Sequence, residues 1–78
     1  MKPVTLAPHI MIDDQVRFGK PCVAGTRLAV EAVLNLLADG QSIAQIIEDF
    51  PELTEADIRA CLKFSADQMA RTAISLAA

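Results

Sequence analysis

Seventy-eight residues with 53% apolar content and a formal net charge of −3 describe one domain with no room for a second. No run nears the ~18 apolar residues that a membrane span needs, and the acidic balance excludes a polyanion binder working by bulk charge. The charge is uneven, however: four cations against two carboxylates give residues 1–27 a charge of +2, and three against eight give residues 28–78 a charge of −5.

Met1–Pro8 reads as a loose arm, with Pro3 and Pro8 discouraging regular structure. His9-Ile10-Met11-Ile12 is a β-favouring run stopped by Asp13-Asp14. Arg17–Arg27, R-F-G-K-P-C-V-A-G-T-R, packs two glycines, one proline and three cations into eleven residues. Gly19 and Gly25 suit positive φ, and Pro21 holds Lys20 extended. Cys22-Val23 between them reads as a second short strand, with a further extended stretch possible at 27–28. A two-stranded ribbon of this size needs a helix beneath it or a second chain beside it.

Three helices follow. Val30, Val33, Leu34 and Leu37 recur at helical spacing over about Ala29–Asp39, and Gly40 supplies the stop. Ser42 with Gln45 forms a capping-box pattern ahead of Ile43, Ile46, Ile47 and Phe50, and Pro51 ends that helix. Thr54 with Asp57 starts a third helix, read as running to the chain end, about twenty-four residues or ~36 Å. Its expected buried stripe is Ile58, Cys61, Leu62, Met69, Ala73 and Leu76. The charged side carries Glu55, Arg59, Lys63, Asp67 and Arg71, spaced for i,i+4 pairs. The fold expected is mainly α: an arm and short N-terminal β-ribbon (1–28), followed by a three-helix helix-turn-helix bundle with its core at 29–64 and a C-terminal helix extension at 65–78, within a single domain.

The second and third helices have the dimensions of a helix-turn-helix. Thr54, Arg59 and Lys63 would then face the major groove, Arg59 towards guanine and Lys63 towards phosphate. The same stripe could equally face water in a plain three-helix bundle. Arg17, Lys20 and Arg27 suit a phosphate track, or alternatively pair with Asp13, Asp14 or Glu31. Catalysis has little to build on. His9 is the sole histidine, no cysteine lies at a histidine spacing, and Gly19-Lys20 lacks the phosphate-loop pattern. No catalytic residue, metal or cofactor is expected. Cys22 and Cys61 read as buried thiols in a reducing compartment, and the N-terminus lacks a secretory signal, so the expected location is cytoplasmic.

Two stretches, H-I-M-I-D-D-Q-V-R-F-G-K-P-C-V-A-G-T-R-L (9–28) and V-L-N-L-L-A-D-G-Q-S-I-A-Q-I-I-E-D-F-P-E-L-T-E-A-D-I-R-A-C-L (33–62), resemble the bacterial and archaeal family called domain of unknown function 433. The markers are G-K-P-C/V/I-x-G-T-R, the D/E-x-Y/F-P-x-L-T turn and the D-I-R-A helix start. Family members usually have proline where this chain has Ala29, and the tail Met69–Ala78 lies outside the shared pattern. The resemblance implies a homeodomain-like helix-turn-helix and, as partner, a PIN-like ribonuclease toxin. The leading expectation is thus an antitoxin of a type II pair: a homodimer that binds operator DNA and neutralises the toxin. Met69, Ile74 and Leu76 would enter a toxin groove, and Arg71 would approach its acidic site. The alternatives are a stand-alone DNA-binding transcriptional regulator and a dimeric protein-interaction module without DNA binding.

Overall fold

The computed structural model describes residues 3–73. Strands β1 (Val4–Ala7), β2 (Ile10–Ile12) and β3 (Cys22–Val23) precede helices α1 (Val30–Ala38), α2 (Ile43–Asp49) and α3 (Glu55–Ala70). The sheet is antiparallel in the order β1-β2-β3.

This corrects the mainly α expectation in three respects. Val4-Thr5-Leu6-Ala7 is a strand, where a loose arm was expected. Pro3 and Pro8 bound it, because an edge strand tolerates proline at its ends. Pro8-His9 then makes the two-residue turn into β2, with His9 in the left-handed region at φ 68°, as at the second central position of a type II turn. Leu6 bulges between the pairs Thr5↔Met11 and Ala7↔Ile10.

Secondly, the sheet is part of one core with the helices, and of the two supports expected for a small ribbon it has the helix beneath it. Ile10 and Val23 are fully buried with Val30, Val33, Ile46, Leu53, Ile58 and Cys61, and α3 packs against β2 as well as against α1 and α2. The result is an α+β domain whose sheet lies on its longest helix, which satisfies the need of so small a sheet for apolar backing.

Thirdly, α3 spans 16 residues and stops at Ala70. Arg71 N–H donates to Gln68 O and Thr72 N–H to Met69 O, the tightened pattern of a helix end. Its buried side is Ile58 and Cys61, continued by half-buried Ala60 and Phe64, whereas Leu62 is 44% and Met69 65% exposed. Residues 66–73 are all exposed, so no packing prolongs the helix, and propensity alone sustains short helices poorly. Ile74 and Leu76 lie outside the described residues.

Local chemistry sets the joints. Gly40 at φ 96° closes α1, Gly40 N–H donating to Leu37 O and Gln41 N–H to Leu36 O, a Schellman motif. Both expected capping boxes form: Gln45 N–H on Ser42 Oγ at 3.1 Å with Ser42 N–H on Gln45 Oε1 at 3.0 Å, and Asp57 N–H on Thr54 Oγ1 at 3.1 Å with Thr54 N–H on Asp57 Oδ2 at 3.0 Å. In the turn between α2 and α3, Leu53 is buried and pins the two helices together.

His9 ties sheet to helix, its Nδ1 lying 2.7 Å from Asp57 Oδ1. Burial raises the Asp57 pKa, but the Thr54 N–H, the His9 ring and the Thr54 hydroxyl outweigh it, and the carboxyl sits below its ordinary value of 3.8. A depressed folded pKa contributes stability that is present above the unfolded value and lost as pH falls through the folded one. Thermal melts are therefore expected to drop as pH falls below about 4, and Asp57→Asn to be less stable at neutral pH with a flatter acid limb. Identical acid limbs in the two proteins would remove Asp57 as the source.

Candidate nucleic-acid interface

The loop from Val16 to Leu28 is held by a dense set of backbone bonds. Thr26 N–H and its hydroxyl both donate to Val23 O, at 3.0 and 2.9 Å, and Leu28 N–H returns to Thr26 Oγ1 at 3.0 Å. Gly25, at φ 79°, is needed for that backbone and not for space, since a Cβ there would meet nothing. Val23 N–H to Leu28 O and Val30 N–H to Pro21 O then fasten the loop to the start of α1. The V-A-G-T motif is thus a turn whose product is the position of Arg27.

Arg17 lies across from it. Arg17 Nε donates to Arg27 O at 3.0 Å, which sets the Arg17 guanidinium against the backbone of a second cation ten residues on. Arg17, Phe18 and Gly19 are consecutive left-handed residues at φ 52°, 57° and 80°. For the two with a Cβ this conformation costs about 1 kcal/mol or more each. Gly19 N–H to Val16 O at 3.2 Å and Lys20 N–H to Arg17 O at 3.1 Å hold the turn. The Phe18 side chain at its apex is 100% exposed. Sequence reasoning gave Phe18 no site role. The available signal was its place in R-F-G, outside any apolar periodicity and between a cation and a glycine.

The cations differ in what they already hold. Lys20 Nζ pairs with Glu31 on α1, Arg59 Nε with Glu55 Oε2 at 3.0 Å and Lys63 Nζ with Asp67 Oδ1 at 3.0 Å. These pairs are more than half exposed and each contributes at most about 1 kcal/mol. Among the described residues no carboxylate pairs with Arg17, Arg27 or Arg71. Of the six residues expected at DNA, the fold therefore assembles Arg17 and Arg27, engages Lys20 with α1, and leaves Arg59 and Lys63 tied within α3. Thr54 is spent on capping.

Lys20 also lines an open groove of about 380 Å³ between α1 and α3, together with Pro21, Val30, Leu34, Phe64 and Met69. A cation expected at DNA and a methionine expected at a protein partner thus share one surface. Arg71 is exposed at the end of α3.

The thiols play no part in this surface. Burial pushes the Cys22 pKa up against the opposing pull of Arg17 and Arg27, and burial with the nearby Asp57 charge raises that of Cys61 to about 11. Both stay protonated at neutral pH. No described helix is long and apolar enough to cross a membrane.

A three-stranded sheet packed on the longest of three helices, with an arginine-edged loop ahead of the first of them, defines a small α+β domain. Residues 10–65 match the family model described as a protein of unknown function, DUF433, and the chain belongs to that family. No curated protein and no solved structure matches it.

Proposed function

We propose that this protein is an antitoxin that binds operator DNA and occupies a PIN-like ribonuclease toxin. The single observation behind the DNA half is the Arg17–Arg27 contact: the Arg17 guanidinium rests on the Arg27 backbone carbonyl beside a strained turn, and neither arginine has a carboxylate partner among the described residues. Guanidinium groups in that state are suited to phosphate oxygens. Arg59 and Lys63 join from α3 at little cost, since an exposed i,i+4 pair is easily exchanged for a phosphate. The apolar groove at Leu34, Phe64 and Met69, with Arg71 beyond it, supports the toxin half. The outer edge of β1, with half-exposed Val4 and Leu6, is a suitable place for a second copy to add its own edge strand.

Fluorescence anisotropy with a labelled duplex from the gene's upstream region tests the first half. Binding is expected to weaken steeply with salt, log K falling about 0.9 per phosphate contact against log salt. No binding at low salt would reject it. For the second half, the protein is expected to co-purify with the product of the neighbouring gene and to suppress its nuclease activity. Deleting residues 68–78 is expected to abolish that suppression, and full suppression by the truncated protein would reject the assignment of the helix end to the toxin.

A second reading, a dimeric interaction module with no DNA affinity, draws on the acidic total of −3 and on the pairing of Lys20, Arg59 and Lys63 with carboxylates. It predicts partner binding with a flat salt response in the duplex assay.

A further inference from the structure

We infer that Phe18 is a stacking wedge that inserts against an unstacked base when the Arg17–Arg27 face meets nucleic acid, an inference that rests on the DNA-binding reading above. Of the three phenylalanines, Phe50 and Phe64 pack against the core while Phe18 is wholly exposed. Nothing inside the domain accounts for an aromatic ring there. The backbone that presents it has three left-handed residues in succession, two of them with a Cβ.

That conformation is locked from several sides. Gly19 N–H bonds Val16 O, Lys20 N–H bonds Arg17 O, and the Arg17 guanidinium holds Arg27 O. The ring is therefore offered from a stiff turn and not from a wandering loop, so little conformational freedom is lost when it engages a ligand.

The surroundings select the ligand. A recess of about 410 Å³ beside the turn is lined by Arg17, Phe18 and Lys20, and by Ala29, Glu31, Ala32 and Asn35 at and along α1, with Glu31 already engaged by Lys20. A ligand filling it needs a π face for Phe18 and negative charge for Arg17, the lining cation that no described carboxylate pairs. Nucleic acid carries both on every nucleotide, and aromatic stacking beside a cationic track is how proteins grip unstacked bases and wedge open base steps.

The chain has no tryptophan or tyrosine, so Phe18→Trp places a single indole fluorophore at the site. Titrating this variant with single-stranded oligonucleotides and with a duplex carrying 2-aminopurine is expected to quench the indole by half or more and to brighten the unstacked 2-aminopurine. Phe18→Ala, with an unchanged circular dichroism spectrum, is expected to bind about tenfold more weakly with the same salt slope. If wild-type protein binds with its full salt slope, yet the indole emission is unchanged and Phe18→Ala binds within twofold of wild type, the wedge is overturned and the DNA-binding reading stands. Absence of any binding by wild type overturns both. An indole emission that shifts to the blue with protein concentration alone, unaffected by oligonucleotide, would assign Phe18 to contact between copies and overturn the wedge.

Discussion

Ile58→Ala is expected to lower the stability of this domain by about 2–5 kcal/mol, the range for emptying an isoleucine-sized core position. Ile58 is fully buried on the face of α3 that meets the sheet and α1. For a chain of this size the total stability is roughly 4–12 kcal/mol, so the variant stands close to unfolding. The melting midpoint is expected to fall by about 10–30 °C. Leu62→Ala, four residues on and half exposed, is expected to change stability by about 0.5 kcal/mol or less. Urea titrations of the two variants followed by circular dichroism separate them. Equal losses would mean that α3 is rotated from the orientation described above.

Arg27→Ala is expected to weaken duplex binding about tenfold and to reduce the salt slope by about one, because the arginine is read here as a phosphate contact and not a base contact. The Arg17→Ala/Arg27→Ala double variant is expected to lose about two from the slope and to bind all sequences weakly. Arg17 also braces the turn through Arg27 O, so Arg17→Lys, which keeps the charge and removes the Nε donor, separates the phosphate contact from the brace. Lys63→Ala is expected to have the smaller effect, as Lys63 already shares Asp67. Should Lys63 and Arg59 prove dominant in the same anisotropy assay, the interface lies along α3 and the loop serves the fold alone.

Much of the local structure was legible from residue order. The capping boxes at Ser42 and Thr54, the stop at Gly40 and the strands near 10–12 and 22–23 each depend on side chains within a few residues of one another. Such signals survive without knowledge of the whole. Misreadings arose where the deciding partner is distant in sequence. Val4–Ala7 is a strand because β2 is there to pair with it. Leu62 and Phe64 lie close on one helix, and only the position of α1 and the sheet decides which of them faces inward.

The candidate site divides in the same way. That Arg17, Lys20 and Arg27 are clustered along the chain is written in the order of residues, and so is the need of Gly25 for a positive φ. Charge count and glycine placement are properties of the string itself. Which cations are left without a carboxylate was settled by folding, which set Lys20 against Glu31 and laid Arg17 over the Arg27 carbonyl. The exposure of Phe18 was settled there too, by a left-handed turn that aims its ring away from the body. Residue order determines what can pair locally; the packing of sheet on helix decides which groups find partners inside the molecule, because burial and ion pairing depend on distances that only the closed chain establishes.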